Sequence, residues 1–92
     1  GCFLCNAAVD RAASDGNTRE RVLAMFMAIE QGLQVALADA AADRGWSVST
    51  VDKKAKATLA AYVGLRVLVR AGFPRDTIDL ITATHIETLS GP

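Results

Sequence analysis

The stretch KAKATLAAYVGLRVLVRAGFP, residues 54–74, decides the fold that we predict for this chain. Between Ala55 and Ala71 it is rich in Ala, Leu and Val, and apolar side chains surround most of the helix. A helix of this kind is buried on more than one side. Because 92 residues are too few to wrap a helix completely, we predict that one side packs within the chain and the other on a second copy.

Composition narrows the class of protein. Ten acidic and ten basic residues leave no net charge that would steer the chain towards nucleic acid or anionic lipid. Apolar residues make up 51% of the chain, which is high for a small monomer and fits an interface. The sequence has no uninterrupted apolar run of about 18 residues and no signal-peptide pattern, so we expect a cytoplasmic protein without a membrane partner.

Three further helices are predicted around the central one. A first helix covers about residues 1–14, and a second runs from the turn at 14–18 to about Arg44, where Gly45 stops it and Trp46 folds back near Ala40 and Ala41. Residues 46–52 are predicted to be a connection with serine and threonine caps, and Gly72 ends the central helix in the same way as Gly45 ends the second. The last helix covers about 75–89. The fold class is therefore all-α with about four helices.

The inward face of the second helix is predicted from its spacing. Gly32 in its interior costs about 1 kcal/mol relative to Ala, so we expect another helix to approach closely there. Its stripe, which Met25 widens, consists of Val22, Phe26, Ile29, Leu33, Leu37 and Ala40. The first helix begins abruptly on apolar residues without a cap, so we expect the chain to be part of a longer protein.

Four features, taken in order, resemble the C-terminal regulatory half of TetR-family transcriptional regulators. They are the opening GCFLCN at residues 1–6, the turn before Arg19, the helix stop at Gly45, and GLRVLVRAG at residues 64–72. The resemblance covers residues 1–92. It implies an all-helical domain whose last two helices form a four-helix bundle with their symmetry mates, and an effector pocket between the earlier helices. The family's N-terminal helix-turn-helix domain has no counterpart here, so operator DNA would be bound only through that missing domain.

Two sets of site residues follow. The dimer interface is predicted to consist of Leu59, Val63, Arg66, Val67, Arg70, Ile78, Ile81, His85 and Leu89. The site for a small hydrophobic or aromatic effector is predicted where packing is least complete, at Cys5, Val9, Phe26, Ile29 and Tyr62, with core packing as the alternative for Phe26 and Ile29.

No catalytic, cofactor or metal site is predicted. Cys2 and Cys5 form a C-x-x-C pattern, but no strand precedes it and two further zinc ligands are missing, so two apolar helix positions explain it better. His85 is read as a hydrogen-bonded interface histidine, and the lysines at 53, 54 and 56 as a solvated helix start. We therefore predict the effector-binding and homodimerisation domain of a repressor, not an enzyme. The alternative is a purely structural homodimerisation module without a ligand.

Overall fold

The computed structural model describes residues 16–92, which contain three helices and no strand. Helix α1 is Gly16–Arg44, α2 is Val48–Arg70 and α3 is Arg75–Ser90. The all-α prediction is confirmed for this part of the chain. The helix predicted over residues 1–14, which would be a fourth, lies outside the described residues.

Helix α1 turns its predicted stripe towards α2. Val22 is buried, and the other five stripe residues are half-buried. Met25 does not widen the stripe, because 55% of its surface is exposed. None of the described residues approaches Gly32 closely, since a Cβ atom placed there would meet none of their atoms within 4 Å, and the helix predicted over residues 1–14 lies outside them.

Two glycines end the first two helices as predicted. Gly45 has a φ of 71°, and the Trp46 N–H donates to the Ala41 carbonyl at 3.0 Å. Gly72 has a φ of 85°, and the Phe73 N–H donates to the Leu68 carbonyl at 3.1 Å. In both, a left-handed glycine lets the following residue bond back into the last turn, which is the Schellman arrangement.

Helix α2 begins earlier than predicted. Ser47 is its N-cap and accepts a hydrogen bond from the Thr50 N–H at 3.1 Å. The predicted connection over residues 46–52 is therefore wrong, because a single serine cap starts the helix at Val48 and leaves only residues 45–47 between α1 and α2.

One side of α2 packs on α1 through polar pairs. Gln34 Nε2 donates to Asp52 Oδ1 at 2.8 Å, and Lys56 Nζ contacts Asp52 Oδ1 at 2.6 Å and Glu30 Oε1 at 3.5 Å. The hydrogen bond to Asp52 raises the pKa of Lys56 above its ordinary value. Leu59 and Val63, seven residues beyond Asp52 and Lys56, are half-buried on the same side of the helix.

Another side of α2 packs on α3. Thr58 Oγ1 and His85 Nε2 are hydrogen-bonded at 3.0 Å, and Lys54 bonds to the end of α3. Both neighbours of α2 thus come from its own chain, which differs from the prediction that a second copy covers its other side. The solvated state predicted for the three lysines is wrong for Lys54, whose surface is only 9% exposed.

The three helices form a flat layer. Helices α1 and α3 flank α2 and do not pack on each other, and the chain extends over 43 × 33 × 14 Å. Its radius of gyration is 14.8 Å, whereas a compact domain of this length has about 12 Å. Among the described residues only Val22, Val51, Ala55 and Lys54 are buried. The layer therefore leaves two broad faces uncovered.

Candidate dimer and ligand surfaces

The predicted interface residues of α3 face α2 of the same chain. Ile78, Ile81, His85 and Leu89 are all half-buried, and the bond from His85 to Thr58 fixes this orientation. The prediction that His85 is hydrogen-bonded is confirmed, although its partner is intramolecular. Leu80 and Ile86 are the large apolar residues of α3 that stay exposed, at 67% and 57%.

The predicted interface residues of α2 fall into two groups. Leu59 and Val63 lie on the side that packs on α1, whereas Arg66, Val67 and Arg70 are exposed. Neither arginine takes part in an ion pair found within residues 16–92. Arg66, Val67 and Arg70 are therefore accessible to a second copy that binds α2. Leu59 and Val63 are half-buried against α1 and are less accessible to it.

A stripe of small residues runs along an exposed side of α2. Its members are Ala57, Ala60, Gly64 and Val67, at 3-4-3 spacing. A Cβ atom placed at Gly64 would meet no described atom within 4 Å, so residues 16–92 give no packing reason for a helix-interior glycine there. Small residues at this spacing allow a second helix to approach closely. Sequence analysis identified Val67 as an interface residue but not Ala57, Ala60 and Gly64. Their 3-4 spacing, as in a heptad, could have indicated them.

The predicted effector residues are only partly described. Cys5 and Val9 lie outside the described residues. Phe26 and Ile29 are half-buried on the α2-facing stripe, while Tyr62 is 45% exposed. The pairs Glu30–Lys56 and Gln34–Asp52 set an antiparallel register that brings Tyr62 level with Ala24, close to Phe26. The three described residues thus share one half of the α1–α2 pair.

An open groove lies at the other end of the same helix pair. It has a volume of about 990 Å³, which reaches the upper end of the range usual for small-molecule sites. Val48, at 88%, and Val35, at 69%, are unusually exposed for valine. The apolar part of the wall consists of Val35, Ala38, Ala41, Trp46, Val48 and Val51. Sequence analysis missed this groove because it depends on how α1 and α2 diverge, although Val35 lies visibly off the inward stripe.

The end of α3 is held by Lys54 of α2 and by Trp46 of the connection between α1 and α2. Lys54 Nζ donates to the carbonyls of Leu89 at 2.8 Å, Gly91 at 2.9 Å and Thr88 at 3.4 Å. Trp46 Nε1 donates to the Gly91 carbonyl at 3.2 Å, and the Lys54 ammonium lies 4.6 Å from the centre of the indole ring. These bonds satisfy carbonyls that a helix C-terminus otherwise leaves without partners.

Two further features concern metal binding and membrane association. The described residues contain no group of three potential metal ligands, and Cys2 and Cys5 lie outside them. By length and composition alone, α1 is apolar enough to cross a membrane. The search for uninterrupted apolar runs did not identify α1 as long and apolar enough, because three polar residues interrupt its apolar sequence: Glu30, Gln31 and Gln34. Glu30 and Gln34 bind side chains of α2.

No protein-family model matches this chain, and no curated protein or solved structure is significantly similar to it. The likeness to TetR-family regulators thus stays a prediction from the sequence motifs.

Proposed function

We propose that this chain is the homodimerisation and effector-binding domain of a TetR-type transcriptional regulator. The flat three-helix layer carries the proposal. Among residues 16–92 only Val22, Val51, Ala55 and Lys54 are buried, and no large side chain is fully buried. A second copy that packs on one broad face would bury the apolar side chains that this layer leaves exposed, as obligate homodimers do.

The chemistry of the exposed surface supports the same proposal. Eleven large apolar side chains are exposed within residues 16–92. Five of them lie in the interior of α2 or α3, not counting Val48 at the start of α2. A second copy of the chain has the same apolar surface, so an isologous interface covers both at once. The five are Tyr62, Val67, Val69, Leu80 and Ile86.

The effector part of the proposal is supported by the space between α1 and α2. The groove there combines an apolar wall with a polar rim at Gln34 and Asp52, as small-molecule sites do. Sequence analysis placed the effector at the other end of the pair, around Phe26, Ile29 and Tyr62. A purely structural module is the second candidate, and it is favoured by the way Phe26 and Ile29 turn towards α2. In the proposal a separate helix-turn-helix domain binds operator DNA, in the cytoplasm.

The assembly is tested with the variants Val67→Glu and Val35→Glu. Val67 lies on the exposed stripe of α2, and a glutamate there would lose its hydration in the interface, a cost that pairing with Arg66 or Arg70 does not repay. We therefore expect the dimer dissociation constant to rise at least about a hundredfold. Val35→Glu introduces the same charge on α1, outside the proposed interface, and should leave the dimer intact. Size-exclusion chromatography with light scattering measures both. Dissociation by Val35→Glu alone would contradict the placement on α2 and α3.

A further inference from the structure

We propose that a pocket beside the end of α3 binds a small oxyanion, namely a sulfate or phosphate group. The pocket has a volume of about 360 Å³ and lies between α2 and α3. Its wall includes two lysines, the histidine and two threonines, but no aspartate or glutamate from the described residues. These residues are Thr50, Lys53, Lys54, His85 and Thr88.

The charge of this pocket is not balanced by the protein around it. Lys54 is buried, and its hydrogen-bond partners are neutral carbonyls at the C-terminus of α3, which together carry roughly half a negative elementary charge. Lys53 adds a second full positive charge. Neither lysine takes part in an ion pair found in the described part of the chain. Pro92 also lines the cavity, and its α-carboxylate in a chain that ends there offsets one of these charges. The two lysines still leave a net positive charge of about half an elementary unit beside the cavity.

The nearest acidic residues do not cancel this charge. Asp52 precedes Lys53 but binds Gln34 and Lys56 on the α1 side of α2. Glu87 follows His85 by two residues, yet it is exposed and does not contribute to the pocket wall. Arg44 of α1 bonds to the Ser90 carbonyl at the same helix end and adds further positive charge.

Hydrogen-bond donors in the wall suit an oxyanion. All three N–H donors of the Lys54 ammonium bond to carbonyls, so Lys54 would act on an anion through its charge alone. The Lys53 ammonium is exposed and is able to bond to a bound anion directly. The Thr50 hydroxyl accepts from Ser47 Oγ at 3.1 Å, which leaves its own proton to donate. His85 uses only Nε2 in the bond to Thr58, and its Nδ1 side stays available. Bonds from charged donors to an oxyanion are shorter and stronger than neutral ones.

The test is a sulfate titration of the whole chain at constant ionic strength, with chloride as the balancing anion. His85 is the single histidine of the sequence, so its imidazole signals in a proton–carbon NMR spectrum report on this pocket alone. We expect these signals to shift saturably with sulfate.

Two matched lysine variants decide the assignment. Lys53→Gln should weaken sulfate binding roughly three- to tenfold, since it removes one exposed charge from the pocket wall. Lys56→Gln removes an exposed lysine of the same helix on its α1 side, and should leave sulfate binding unchanged. Identical shifts in sulfate and chloride would overturn the proposal, as would an affinity that Lys53→Gln leaves unaltered.

Phenyl phosphate then distinguishes the two sources of the oxyanion. Affinity equal to that of inorganic phosphate indicates a free anion, and tighter binding indicates that the group is carried by an organic molecule whose remainder occupies the open part of the pocket. Either result supports the site, whereas failure of both phosphates to shift the His85 signals contradicts it.

Discussion

At the scale of single residues, Lys54 connects the start of α2 to the end of α3. It lies between two other lysines at the start of a predicted helix, a pattern typical of a solvated surface. In the structure its ammonium group is buried against the indole of Trp46 and bonds to carbonyls 34 to 37 residues later in the chain. Local spacing carries no information about so distant a partner. The loss of this side chain is therefore expected to affect the whole layer.

We predict that Lys54→Met lowers the free energy of unfolding by about 1–3 kcal/mol. Methionine matches the length of lysine but removes the charged donor to the part-buried carbonyls of Thr88 and Leu89, while Gly91 keeps its bond from Trp46. Hydrogen bonds from a charged donor contribute about 1.5–3 kcal/mol. Lys56→Met is the control, because Lys56 is exposed and its ion pairs with Asp52 and Glu30 are worth less than about 1 kcal/mol. Urea denaturation followed by circular dichroism measures both, and equal losses would refute the role given to Lys54.

At the scale of helices, sequence analysis succeeded where the information is local. The stripe of α1 follows from helical periodicity, and the ends at Gly45 and Gly72 follow from glycine adopting positive φ. The start of α2 was missed because Ser47, Ser49 and Thr50 are all competent caps, and only the structure selects Ser47. The partner of each helix face was also beyond prediction, since apolar residues all round α2 do not reveal which helices cover them.

Substitutions on the α1 stripe test whether Ile29 lines a ligand pocket or belongs to the core. If a ligand pocket surrounds Ile29, the larger side chain of Ile29→Trp fills empty space, and the free energy of unfolding stays within about 0.5 kcal/mol of the original. If the site is solid core, overpacking costs about 1–3 kcal/mol. Leu37→Trp, on the same stripe but outside the predicted pocket, serves as the overpacked reference. The effector assignment at Ile29 predicts a clear difference between the two variants in thermal or urea denaturation, and equal losses would contradict a pocket at Ile29, though not the groove lined by Val35 and Val48.

At the scale of the whole molecule, the layer formed by residues 16–92 buries few side chains. No large side chain within residues 16–92 is fully buried, and two faces of the layer remain open. Marginal stability leaves little room for an exposed apolar surface of this extent in a monomer. This geometry was not predictable from the sequence, because it depends on α1 and α3 lying on separate sides of α2. The reason to propose a dimer is therefore the pair of open faces of the layer, and no longer the apolar residues all round α2.

Sedimentation equilibrium of the unaltered chain at micromolar concentration tests this proposal most directly. The account predicts a single species of twice the chain mass of 9.7 kDa, which persists on dilution to low micromolar concentration and unfolds in a concentration-dependent transition. A species of 9.7 kDa that unfolds cooperatively, at a temperature independent of concentration, would contradict it.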